Sequence, residues 1–138
     1  MYEIHLFFVL RKAINSIWIA TDLKINGGNG WGAAQTSGSQ SLMVWESTDL
    51  VNWSDMRMVE VSASINAGCT WAPEATYDPI TGEYIVYWAS KVSEDNYGKQ
   101  RVYYAKTRDF YTFTEPKVYI EDKTESCIDT TIIYNKEE

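Results

Sequence analysis

The chain has 138 residues, of which 45% are hydrophobic and 14% aromatic, and a formal net charge of −7. That is the size of one ordinary domain, with enough apolar material for a sizeable core. The acidic balance leaves no basic stripe to neutralise phosphates, which argues against nucleic acid, and no run approaches the roughly 20 apolar residues of a membrane helix.

In chain order, Ile4 to Leu10 is a continuous apolar run, readable as a buried strand or a short helix because period does not separate the two. It does not read as a secretory leader, since Arg11 and Lys12 follow the apolar run instead of preceding it. Compartment therefore stays open. His5, the single histidine, lies beside that run, where a structural role outweighs a ligand or a base. Ile17 to Thr21 predicts a strand, followed by Asp22. Asn26 to Gly32 reads as a flexible glycine-rich loop; no Gly-Lys-Ser/Thr follows it, and the spacing is no dinucleotide fingerprint. Trp31 in that loop is a candidate sugar platform.

Ser41 to Ser47 predicts the next strand, and Asp49-Leu50-Val51-Asn52-Trp53 a compact turn. There the aspartate caps backbone N–H groups while Leu50 and Trp53 tuck under the sheet. Asn52-Trp53-Ser54 fits a glycosylation acceptor, a pattern short enough to arise by chance. Cys69 to Ser90 then reads as two strands joined by a turn. Asp78-Pro79 opens the turn, Gly82 closes it, and β-branched and aromatic residues flank it. Pro73 sits where a missing N–H costs least. Glu74 is the odd residue, a carboxylate beside Trp71 in an otherwise buried-looking strand, and it reads equally as a solvated edge charge or a site group. Cys69 and Cys127 have no metal spacing; they read as small buried residues, with a disulfide between them left open.

The Asp49 turn recurs at Thr107-Arg108-Asp109-Phe110-Tyr111-Thr112-Phe113, about 60 residues on, and Glu74 recurs as Asp129, about 55 residues on. A period in this range with four strands per unit predicts β-propeller blades. The first blade runs over about 1–64, the second over about 70–122, and a third begins over about 126–138 with a strand from Ile128 to Tyr134. The expected fold is all-β, a partial propeller of about two and a quarter blades.

Three stretches resemble glycoside hydrolase family 43: Trp71-Ala72-Pro73-Glu74 with the hairpin to Ser90, Val44 to Ser54, and Ser126 to Ile133. The resemblance covers the chain from about Ile17 onward. It implies a five-bladed propeller, so that the chain is expected to be a fragment. It also implies inverting hydrolysis of plant polysaccharide side chains, arabinofuranosides or xylosides, which needs an acid and a base on opposite sides of the scissile bond. By the resemblance, Asp129 orients the acid and raises its pKa, while Glu74 lines the sugar pocket. Trp71, Asp22 and Trp31 are further candidate substrate-binding residues. The family's base belongs where Leu6 and Phe7 stand, and its acid would lie beyond Glu138, so this chain alone is expected to be inactive. No metal or cofactor is implied; the expected partner is carbohydrate, with self-association through exposed blade edges. The alternative is a sugar-binding propeller without catalysis. A WD40-type interaction propeller is disfavoured, because no strands end in Trp-Asp.

Overall fold

The computed structural model of the protein describes residues 15–23, 25, 30–133 and 135. His5, Leu6 and Phe7, the apolar run around them and Asn26 to Asn29 lie outside the described residues.

Two antiparallel meanders follow one another. The first has three strands in the order β1 (Ser16–Thr21), β2 (Ser41–Ser47) and β3 (Arg57–Glu60). The second has four: β4 (Trp71–Asp78), β5 (Glu83–Ser90), β6 (Arg101–Thr107) and β7 (Lys117–Ile120). A four-stranded up-and-down sheet is the unit from which propeller blades are built. The chain is all-β as expected: between Gln40 and Ile120 the helical content is two single 3-10 turns, Ala63–Ile65 and Ser93–Asp95.

The sheets face one another across a single core. Ile17, Ile19, Leu42 and Val44 from the first, with Val61 just after β3, meet Ala75, Val86, Trp88, Tyr103 and Ala105 from the second. On β5 this set is every second residue, Tyr84, Val86 and Trp88, which is the period of a strand that turns one face to a core. Full burial of each aliphatic side chain contributes about 1.5–3 kcal/mol.

The two repeated turns are built alike. Ser47 Oγ accepts from the N–H of Leu50 at 2.8 Å, and Asp49 Oδ1 accepts from Val51 and Asn52 at 2.9 and 2.7 Å. In the second copy Thr107 Oγ1 accepts from Phe110 at 2.9 Å, and Asp109 Oδ1 accepts from Tyr111 and Thr112, both at 2.9 Å. The hydrogen bonds hold Leu50 and Phe110 at φ 63° and 58°. The copies differ in what covers them. Phe110 is buried between the sheets, whereas Leu50, expected to tuck under, is 56% exposed because no described sheet lies over it. Trp53 does pack, its ring stacked on Trp18 with centroids 4.0 Å apart.

Two further expectations are corrected. Part of the glycine-rich loop is helix: α1 spans Gly30–Thr36. Ala33 and Ala34 favour helix, and the side chains of Gln35 and Thr36 bond back to the carbonyls of Trp31 and Gly32. Its last turn is packed against Gly68, where an added Cβ would fall 2.4 Å from the carbonyl oxygen of Gln35. The strand expected from Ile128 is not formed, and the described residues from 121 to 133 are irregular. Asp129 has φ 55°, outside the extended region, and no described strand offers this segment a ladder.

Candidate functional site

The site grows from an irregularity at the start of β4. Trp71 pairs with Ala89 but Glu74 pairs with Tyr87, so β4 carries one extra residue between them. The bulge has a local cause. Ala72 sits at φ 47°, and Pro73 has no N–H to give to a ladder. The Ala72 N–H instead donates to Thr21 Oγ1, at the end of β1, at 3.0 Å. The bulge therefore ties the two sheets together and re-aims the residues on either side of it.

Trp71, on one side, is half-buried and meets the exposed Trp31 of α1 edge-to-face, with ring centroids 6.0 Å apart and planes at 82°. Asp22 is buried immediately after Thr21, whose hydroxyl holds the neighbour of Trp71. On the other side, Glu74 is half-buried and points to a cluster of hydroxyls. Tyr87 Oη donates to Glu74 Oε2 at 2.9 Å, and Thr131 Oγ1 donates to both carboxylate oxygens, at 2.9 and 3.1 Å. The N–H of Ile132 closes the cluster by donating to Tyr87 Oη at 3.1 Å. Tyr87 is 1% exposed, and burial, with the Glu74 carboxylate beside it, pushes its phenol well above the ordinary tyrosine range. It stays a protonated donor at any working pH.

Asp129 is exposed and lies two residues before Thr131. The segment that carries it is thus brought onto Glu74 by Thr131. Trp31 and Trp71 are brought together, and Asp22 adjoins them through Thr21. The free cysteines separate: Cys69 is fully buried, and burial pushes its thiol up to about 11, while Cys127 is half-buried. Among the described residues, no group of three His, Cys, Asp or Glu side chains gathers to hold a metal.

Sequence reasoning missed Thr21, Tyr87 and Thr131. Only Tyr87 had a signal. The turn from Asp78 to Glu83 sets the pairing of its hairpin, and counting back along both strands puts Tyr87 opposite Glu74.

The family model described as a probable glycosyl hydrolase domain, related to glycoside hydrolase family 43, matches residues 7–138. An α-L-arabinofuranosidase of Bifidobacterium longum subsp. longum is 38% identical over 144 residues, which is 91% of this chain and 13% of that protein. A solved structure titled as a GH43 β-1,3-galactosidase aligns with 82% of this chain and 24% of its own, at 18% identity and a TM-score of 0.48. The chain therefore spans about an eighth of the curated relative and about a quarter of the solved chain. By the match that runs over almost all of its length, the chain belongs to the glycoside hydrolase family 43-related family of probable glycosyl hydrolase domains.

Proposed function

We propose that residues 1–138 are part of an inverting glycoside hydrolase that removes arabinofuranosyl or xylosyl side chains from plant polysaccharides. Asp129 orients the general acid and raises its pKa by placing like charge beside it. Glu74 accepts hydrogen bonds from sugar hydroxyls, and Trp71 with Trp31 offers ring faces and edges for a sugar to stack on. Asp22, buried next to the Thr21 tether, completes the binding set. The reaction needs no metal or cofactor, only an acid and a base about 6.5–9.5 Å apart with room for a water.

The observation that carries this reading is the bond from Thr131 to Glu74, which draws the Asp129 segment to the strand that holds Trp71. Similarity to an α-L-arabinofuranosidase supports the sugar class. By the resemblance, Leu6 and Phe7 stand at the base's position and the acid's position is not among residues 1–138, so residues 1–138 by themselves are inactive. The edge strand β7 exposes Val118, Tyr119 and Ile120, and Ile128 and Ile133 are also exposed. An unpaired apolar edge of this kind makes the isolated chain self-associate.

The test assays the intact protein and residues 1–138 on aryl α-L-arabinofuranoside and aryl β-xyloside, with solution mass measured in parallel. The intact protein turns over one of them, and Asp129→Asn lowers kcat by roughly 100-fold or more. A stable monomer of residues 1–138 that hydrolyses either substrate refutes the assignment of roles. The second reading, a sugar-binding propeller without catalysis, is favoured by the aromatic corner of Trp31 and Trp71, which can stack on a sugar without any catalytic pair. Its signature is saturable binding of arabinoxylan oligosaccharides by an intact protein that cleaves none of them.

A further inference from the structure

We propose that Tyr87 is a positioning residue: with Thr131, it latches the segment carrying Asp129 onto Glu74 and so fixes where the Asp129 carboxylate stands. The role of Asp129 rests on the reading above; the latch itself does not. Among the described residues the segment pairs with no strand ladder, and side-chain and loop bonds pin it. Ahead of Asp129, Ser126 Oγ accepts from the N–H of Gln100 at 3.1 Å, and the N–H of Cys127 donates to the Gln100 carbonyl at 2.9 Å. Behind it, Ile132 N–H donates to Tyr87 and Thr131 Oγ1 donates to Glu74. Asp129 stands between these two anchors at φ 55°. A non-glycine residue keeps a left-handed conformation only where its surroundings over-determine it, and here the anchors on both sides do so.

The direction of each bond follows from the donor inventory. Tyr87 has one hydroxyl proton, and its oxygen already accepts from Ile132, so that proton goes to Glu74. Thr131 likewise spends its proton on Glu74, and the carboxylate receives both. Burial keeps the phenol protonated, so Tyr87 remains a donor in the latch. The Tyr87 ring is core-packed whether or not it carries the hydroxyl, which separates the latch from the packing.

The experiment compares the intact protein with Tyr87→Phe, Thr131→Val and Thr131→Ser. Amide hydrogen exchange is followed by mass spectrometry in peptides covering 127–133, beside initial-rate kinetics on aryl arabinofuranoside. Tyr87→Phe loses both the bond accepted from Ile132 N–H and the bond donated to Glu74, and Thr131→Val loses the bond from Thr131 to Glu74; either change speeds exchange of the segment by roughly tenfold. Thr131→Ser keeps the donor and behaves as wild type. In the two latch variants kcat falls by a larger factor than KM rises, since the loosened carboxylate serves the transition state. Unchanged exchange in both Tyr87→Phe and Thr131→Val overturns the latch, and faster exchange with unchanged kcat overturns the positioning role. Should Tyr87→Phe fail to fold, the exposed Thr131 supplies the same test. An intact protein without glycosidase activity refutes the enzymatic reading, and the exchange rates still decide the latch.

Discussion

Replacing Arg57 by methionine removes a guanidinium that joins the two sheets while keeping most of the apolar stem. Arg57 belongs to β3, and its Nη2 donates to Glu46 Oε1 of β2 at 2.7 Å and to the carbonyl of Phe110, in the turn after β6, at 3.1 Å. The guanidinium carbon also lies 3.8 Å from the centroid of the Tyr111 ring. The Arg57 and Glu46 side chains are 20% and 21% exposed, so the ion pair is only partly screened. Each of the two charge-assisted hydrogen bonds contributes about 1.5–3 kcal/mol, and a partly exposed cation–π contact adds about 0.5–1 kcal/mol. Two terms oppose this. Ordering an arginine costs up to about 2 kcal/mol, and Arg57 Nε is buried without a partner, a further cost of about 1 kcal/mol. The net loss on Arg57→Met is about 2 kcal/mol. With a urea m-value of about 1–3 kcal/mol/M, the midpoint falls by about 1 M. Glu46→Gln, which keeps the contacts to Phe110 and Tyr111, costs about half as much or less. Equilibrium urea unfolding of the intact protein, followed by tryptophan fluorescence, measures both. A loss below about 0.5 kcal/mol for Arg57→Met refutes the idea that this arginine ties the sheets. Equal losses for the two variants would mean that the ion pair within the first sheet carries the whole effect.

Ala72→Gly raises the melting temperature by a few degrees, because an L-residue at φ 47° costs about 1–2 kcal/mol and glycine returns only about 0.5–1 kcal/mol of that in chain entropy. The backbone N–H that donates to Thr21 is kept in Ala72→Gly, so a lower melting temperature would show that the chain entropy lost with glycine outweighs any strain at this φ. Backbone N–H groups hold the Asp49 and Asp109 carboxyls below the ordinary aspartate range, so their folded pKa lies under the unfolded value. The stability they contribute is therefore present above about pH 4 and is lost as pH falls through the folded pKa. Urea midpoints at pH 6 and pH 3 should differ less in the Asp49→Asn, Asp109→Asn double variant than in wild type. Ellman's reagent near pH 8 should modify Cys127 in the native protein and reach Cys69 only on unfolding, since Cys69 is fully buried with its thiol pushed up to about 11. Two equally fast thiols would place Cys69 outside the core.

What could be read from the sequence was what short-range chemistry decides. Alternating apolar residues in Tyr84 to Trp88 commit one face to the core whatever lies opposite. Asp49 and Asp109 form their turns from bonds to residues no more than three positions away, and the repeat of that device marked two successive meanders. The Asp78 to Glu83 turn even sets Tyr87 against Glu74. Tertiary structure decided the rest. Leu50 and Phe110 occupy equivalent places in turns built alike, yet one is exposed and the other buried, because among the described residues only the second turn abuts another sheet. The glycines ahead of Ala33 suggested a loop, but packing against Gly68 rewards a short helix, and that helix carries Trp31 to Trp71. Ile128 to Ile133 has strand-like composition but pairs with no strand among the described residues, and bonds to Glu74 and Tyr87 set its path. Each of these outcomes depends on a partner far away in the chain. A residue's own preference is worth about 1 kcal/mol or less, and a buried contact or a satisfied carboxylate outweighs it.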